Sequence, residues 1–379
     1  MRKLAIIGAS YLQVPLIEKA KSMGLETHVF AWKVGDIGEK LADYFYPISI
    51  MEKEKILEKC TEIGIDGVCS IASDLAVVTV NYVAEHMGLI GNGEESTFLS
   101  TNKHNMRLAF EKRHDPSPRS IMVHKISDIK EELVFPVIVK PLDRSGSRGI
   151  SKVNSREELR KAIENAENEG FIKEALIEEF VDGREYSVEC ISYKGKHSML
   201  AVTLKYTTGN PHFIETGHLQ PAPIDKELND KIRSVIFHAL DTLKISYGAS
   251  HSEIKIDDNN RITLIEIGAR MGGDHIGSIL VRNSTGIDYV KAVVDIALGN
   301  KPDLSKTEEK SSVGIHYICN RQDLEVYKIV KEEHPEYIIN EDVPDDIKGE
   351  VLDSSSRFGY FIIKAGKRGQ IEKYMPDEI

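Results

Sequence analysis

The chain has 379 residues, 41% of them hydrophobic, which suits two or three domains around a sizeable core. Its 60 acidic residues against 49 Lys and Arg leave a formal charge of −11, which argues against general nucleic-acid binding. The opening "MRKLAIIGASYLQ" turns polar too soon for a signal peptide, and no apolar run is long enough to span a bilayer. A cytoplasmic protein with no membrane partner is expected. Its four cysteines, Cys60, Cys69, Cys190 and Cys319, lack metal-ligand spacing and read as buried thiols of a reducing compartment.

The first hundred residues alternate strand and helix. "KLAIIGA", "ETHVFAW" and "IDGVCSIA" read as buried strands; "VPLIEKAKSMG", "KEKILEKCTEIG" and "DLAVVTVNYVAEHMG" read as helices. That order predicts a parallel sheet covered on both faces, with any ligand at the carboxyl ends of its strands. "GAS" after the first strand lacks the full G-x-G-x-x-G fingerprint, which argues against a dinucleotide cofactor.

From "TNKHNMRLAFEKR" the pattern changes. "PVIVKPL" reads as a short strand, "SGSRG" as a loop, and "SREELRKAIENAENEG" as an amphipathic helix with a serine cap. The strands "ALIEEFV" and "REYSVECISYKG" follow, joined at "DG". A long helix, "LNDKIRSVIFHALDTLKI", leads to the strands "SEIKID" and "ITLIEI" with a "DDNNR" turn between them. After the helix "DYVKAVVDIALG", the polar stretch "NKPDLSKTEEKSS" marks a last boundary before the strands "VGIHYIC" and "GYFIIKAG". The expected units are an N-terminal α/β domain over 1–100, a small lid over 101–185, a larger domain over 186–305 and a C-terminal subdomain over 306–379. There is no internal repeat and no low-complexity tract.

Two carboxylates stand out. Glu253 and Glu266 lie on the two strands of one expected hairpin, where residues of the same face come within a few ångströms. Unpaired they would repel, and a hard cation such as Mg²⁺ removes the conflict. The alternative is that Glu253 pairs with Lys255 or Arg261 at the surface. Lys140 ends an apolar strand, and "SGSRG" behind it offers free backbone N–H groups at Gly146 and Gly149 and a charge at Arg148. No G-x-x-x-x-G-K-[ST] is present, so this is no P-loop protein.

Strand, lysine, glycine loop and later acid pair, in that order over residues 1–300, resemble the ATP-grasp superfamily. The resemblance implies an α/β and α+β fold with a parallel N-terminal domain, a small lid and a larger domain, and ATP held between the last two. Lys103 and Lys140 would reach the nucleotide phosphates. Ser145, Gly146, Ser147, Arg148 and Gly149 would close over them. In "IEEFVDGREYS", Glu178 would take the adenine amino group, Glu179 and Val181 would offer backbone contacts, and Glu185 would hold the ribose. Glu253 and Glu266 would hold Mg²⁺, or Mn²⁺ in its place, and Arg270 would stabilise the transferring phosphoryl group. Many members carry Asn two residues after the second acid; here that position is Gly268.

"ETGHLQPAPI" and "GARMGGDHI" are most similar to the carboxylate–amine ligase branch, which includes L-amino-acid ligases and carbamoyl-phosphate-synthase-like proteins. That likeness implies amide formation from a small carboxylic acid and an amine through an acyl phosphate, releasing ADP and phosphate. His218 and His275 border the expected substrate side, as catalytic groups or as histidines satisfied at a domain seam. Gly272 and Gly273 would admit the acyl carboxylate, and Arg357 would bind a substrate carboxylate or stitch loops together. Alternatives are a purine- or carbamoyl-type enzyme and a nucleotide-binding regulator without turnover. A homodimer follows only by analogy.

Overall fold

Two-faced strands organise the molecule. The computed structural model describes residues 1–130, 132–142, 148–209 and 213–377. Its first sheet is four parallel strands in the order Tyr44–Tyr46, Glu26–Phe30, Lys3–Ile7, Gly67–Cys69. Helices Val14–Ser22, Lys53–Ile63 and Asp74–Met87 cover it, as the alternation of apolar runs predicts. Ser73 caps the last of these by accepting from the Ala76 N–H, and left-handed Gly88 ends it.

The lid is an antiparallel sheet ordered Ser120–Val123, Ala175–Glu179, Val137–Pro141, Ser151–Val153. Helix Leu159–Glu169 packs Leu159, Ala162, Ile163 and Ala166 against it. This helix begins later than the expected serine cap. Ser155 instead accepts through its backbone carbonyl from the Glu158 N–H, and Glu158 stands at the N-cap without a side-chain cap bond.

The largest sheet has eight antiparallel strands: Ile262–Gly268, Tyr247–Ile256, Arg184–Tyr193, Lys196–Thr207, Glu215–Gln220, Ser312–Ile318, Gly359–Ala365 and Ile338–Asp342. A boundary at 185 falls inside one of these strands, and a boundary at 305 falls between strands of this one sheet. One face carries Tyr186, Val188, Val202, Leu204, Leu219 and Ile254 into the main core, under helix Lys226–Thr242. Each fully buried Ile of that helix, Ile232 and Ile236, contributes about 1.5–3 kcal/mol. Alternation forces the intervening residues to the opposite face: Glu185, Ser187 and Glu189 on one strand, His251, Glu253 and Lys255 on the next. That polar face is the floor of the site.

Burial pushes the thiols of Cys60 and Cys69 up to about 12, and Cys190 is buried as well, as expected of inert core thiols; Cys319 is half-buried. Among the described residues no helix is long and apolar enough to cross a membrane.

Candidate active site

The hairpin places Glu253 directly opposite Glu266 in register. A β-bulge follows at once, because Ile254 pairs with Leu264 and leaves Ile265 as the extra residue. The bulge lets Leu264 and Ile267 both enter the core while Glu266, between them, faces the site. Neither acid is unpaired. Glu266 lies 2.8 Å from Lys103 Nζ. Glu253 accepts from Lys205 Nζ at 2.7 Å and stands 3.5 Å from His251 Nε2. The surface alternative for Glu253 is not what forms: Lys255 pairs with Glu185 at 3.3 Å and Arg261 with Asp257 at 2.6 Å.

Burial alone would raise the Glu253 carboxyl, but Lys205 and His251 outweigh it and hold it well below its ordinary value. Lys103 is likewise raised by Glu266 against the downward push of burial. Glu253 is therefore ionised, and each acid already has a lysine ammonium beside it.

On the lid side, Lys140 Nζ meets Glu178 Oε2 at 2.6 Å, and Arg107 Nε meets Oε1 at 2.7 Å. Burial lowers the Lys140 ammonium despite this partner. Arg107 also donates to the carbonyl of the bulge residue Ile265. Both oxygens of Glu178 are thus engaged by protein cations. The Glu179 N–H donates to the Arg119 carbonyl at 3.0 Å, so only its carbonyl is left for a ring contact. Half-buried Val181 sits in the connection to Arg184–Tyr193, next to Gly183, where an added Cβ would stand 2.5 Å from the Ile256 carbonyl oxygen. Of the loop, Ser145, Gly146 and Ser147 lie outside the described residues. Arg148 is 3.8 Å from Asp353, and Gly149 has a left-handed φ of +69°.

Behind the acids a turn runs from Gly272 to His275. Asp274 and His275 both have positive φ, 52° and 61°, a conformation that non-glycine residues adopt at a cost. Arg357 holds this turn with a fork to Asp274 at 2.9 and 2.8 Å and stacks on the Tyr317 ring at 3.6 Å. His218 is 1% exposed; its Nε2 stands 3.8 Å from Asp274, beyond hydrogen-bond reach. Neither His218 ring nitrogen has a hydrogen-bond partner among the described residues. Burial lowers its pKa, with Asp274 opposing, so it is a neutral imidazole at working pH. The His275 ring lies against Tyr360 at 4.7 Å and Tyr11 at 6.1 Å. Gly273 passes Ala72 of the N-terminal domain.

Arg270 forks onto Asp74 of that same domain, at 2.8 Å through both Nε and Nη2. The pair explains Gly268. A Cβ there would stand 2.8 Å from Asp74 Oδ1 and 3.2 Å from Arg270 Nε, so an Asn at this position would have to displace the fork. The oxygens of Glu253 and Glu266 could serve a divalent ion, and no group of three or more His, Cys, Asp or Glu residues arranged for a metal occurs among the described residues. Two hard carboxylates suit Mg²⁺ that arrives with a nucleotide's phosphates, rather than an ion caged by protein alone.

Five contributors escaped the sequence reading: Asp74, Arg107, Glu189, Lys205 and His251. Four of them carried a usable signal. Lys205 in "TLKY", Glu189 in "SVEC" and His251 in "HSEI" are polar residues at alternate positions of apolar strands, and Arg107 interrupts the buried face of its helix.

Residues 133–278 match the family model for an ATP-grasp domain. The chain carries an ATP-grasp domain. It is 27% identical over 310 residues to an alanine–anticapsin ligase of Bacillus subtilis, taking in 72% of this chain and 65% of that one. A D-alanine–D-alanine ligase of Flavobacterium johnsoniae is 37% identical over 140 residues, 35% of this chain and 42% of that one. The chain thus matches just under two thirds of the length of the alanine–anticapsin ligase. The solved L-amino acid ligase of Bacillus licheniformis superposes with a TM-score of 0.82 at 23% identity, covering 99% of this chain and 96% of that one. Phosphoribosylglycinamide synthetase of Anaerococcus prevotii follows the same path, with TM-score 0.77, 20% identity and coverage of 98% and 96%. The expected ATP-grasp architecture, with a parallel N-terminal domain, a small lid and a larger domain, is borne out, and the larger domain is built on an antiparallel sheet.

The ATP-grasp domain and its neighbours also set an acid limit on stability. Burial would raise the Asp274 carboxyl, yet the Arg357 fork holds it below its ordinary 3.8; Glu253 sits below its ordinary 4.5. A depressed carboxyl contributes stability that is complete above its unfolded value and is lost as pH falls through the folded one. Thermal melts taken from about pH 6 down to about pH 2 should fall more steeply for the native protein than for Asp274→Asn, which starts lower but loses this dependence. Parallel slopes would contradict the pairing.

Proposed function

We propose that this chain is an ATP-dependent carboxylate–amine ligase, joining a small carboxylic acid, an amino acid by preference, to an amine. The observation that carries the reading is the Glu253–Glu266 pair, set between Lys103 and Lys205 on one side and the Arg357–Asp274 turn on the other. The printed activities of the relatives, alanine–anticapsin and D-alanine–D-alanine ligation, support the same class.

In this reading Lys103 and Lys140 exchange their carboxylate partners for nucleotide phosphates. Glu253 and Glu266 would hold Mg²⁺, or Mn²⁺, which would neutralise phosphate charge. Glu185 takes the ribose, and Glu178 turns one oxygen to the adenine amino group. A substrate carboxylate oxygen attacks the γ-phosphorus, the bond to ADP breaks, and an acyl phosphate results. Arg270 lies beside the acids, with its planar fork aimed by Asp74 to meet the transferring charge. The amine then attacks the acyl carbon, the C–O bond to phosphate breaks, and one amine proton must leave. Neutral His218, buried at the substrate turn, can accept it. Gly272 and Gly273 admit the acyl group, while His275 and Arg357 frame the second substrate.

With the acid labelled by ¹⁸O in its carboxylate, one label should appear in released phosphate, because the acyl phosphate breaks at carbon. Products should be ADP and phosphate. AMP, or unlabelled phosphate, would rule out this chemistry. A carbamoyl- or purine-type enzyme would respond to bicarbonate or a nucleotide precursor in place of amino acids. A binding-only regulator would release no phosphate in response to any of them.

A further inference from the structure

Glu189 has no part in the reaction as drawn, yet its side chain is completely buried on the sheet face that floors the site. A buried carboxylate is costly unless both oxygens are satisfied. Here they are, by two groups of different allegiance. One oxygen bonds His251 Nδ1, and the other accepts the Gly272 N–H at 3.0 Å. His251 stands cross-strand from Glu189, and its far nitrogen reaches toward Glu253 at 3.5 Å. Gly272 opens the turn that carries Asp274 and His275. The contact is also sterically closed: a Cβ on Gly272 would stand 2.7 Å from Glu189 Oε1 and 2.8 Å from His251 Nδ1.

We propose that Glu189 is a positioning residue that couples the nucleotide-side acid Glu253, through His251, to the substrate turn that begins at Gly272. This rests on the ligase reading, which gives those two ends their separate tasks. Displacing His251 when Glu253 changes partners must move or strain the carboxylate that anchors Gly272, because a buried acceptor cannot abandon either donor cheaply. A nucleotide arriving at the acids would thereby order the turn before the second substrate binds.

The test uses Mg²⁺ with ADP as the probe and amide hydrogen exchange over Gly272–Leu280 as the readout. In the native protein Mg–ADP should slow exchange there about tenfold or more, in proportion to the loss of local opening. Glu189→Gln keeps the shape, so it should bind Mg–ADP within about threefold of native while that slowing disappears. Its KM for the acid or amine should rise about 10- to 100-fold, the usual range for a lost orienting partner. Gly272→Ala serves as a second variant that disturbs the same contact from the turn side, because its Cβ would press on Glu189 and His251, with the same two expected losses. Undiminished slowing in Glu189→Gln would overturn the coupling, and so would a loss of Mg–ADP binding as large as the loss of slowing. Native protein that shows the slowing but ligates no amine would remove the ligase reading and leave the coupling standing; turnover without slowing would do the reverse.

Discussion

Glu266→Gln should lower substrate-dependent phosphate release by about a thousandfold or more, equivalent to several kcal/mol of lost charge neutralisation. The fold should survive, because Glu266 is partly exposed and the amide is isosteric with the carboxylate. Lys103 would keep other acids near it, since Asp74 and Glu253 also act on its ammonium. A melting temperature within a few degrees of native, together with a raised requirement for magnesium, would separate a catalytic loss from a structural one. Near-native turnover by the folded variant at ordinary magnesium would sink the assignment of the acid pair.

Arg270→Lys is the second large effect. The guanidinium spends two nitrogens on Asp74 and points a third at the Met271 carbonyl, 3.3 Å away. A lysine keeps the charge but cannot bond both Asp74 oxygens in one plane and still present a donor to a phosphoryl group. Turnover should fall roughly 10²- to 10³-fold while nucleotide affinity changes only a few-fold, the pattern of an interaction made mainly in the transition state. Asp74→Asn should reproduce part of that loss without touching Arg270 itself, because it removes the partner that aims the fork. Equal losses in affinity and turnover for Arg270→Lys would place the residue in ground-state binding instead. Because Asp74 belongs to the N-terminal domain and Arg270 to the large sheet's exit turn, this pair also couples the two units mechanically.

Much of this was legible because strands announce their faces. The hairpin holding Glu253 and Glu266 could be read from its turn signal and apolar strands, but strict alternation would set Glu253 against Ile265; the bulge there brings Glu266 opposite it instead. The parallel N-terminal sheet was equally plain from helix and strand order. Less visible were partners brought together from distant stretches. Asp74 and Arg270 are 196 positions apart, and Arg107 and Glu178 are 71. Nothing local in "SDLAVV" marks Asp74 as an arginine's partner, since an acid at the start of a helix is ordinary chemistry. The strands Lys196–Thr207 and Glu215–Gln220 carry Lys205 and His218, and their pairing depends on neighbours fixed only by the folded sheet. Whether Gly268 left room for a third metal ligand likewise depended on Asp74, which only packing could bring there.

The bulge at Ile265 makes the hairpin sensitive to length in a way that composition does not reveal. Upstream of it the strand keeps one phase, and downstream it keeps the other; Leu264 and Ile267 share a side although three positions apart. Removing the extra residue would leave a regular ladder, with Leu264 and Ile267 still inward and Glu266 still opposite Glu253, but would take away the peptide unit that Arg107 grips. Substitutions that conserve length keep that unit, so the segment can drift in sequence but not in count. The extra residue also exposes one carbonyl that no strand neighbour needs, and Arg107 takes it with one nitrogen while gripping Glu178 of the lid with another. A single surplus peptide unit has thus become the fastening point between lid and floor.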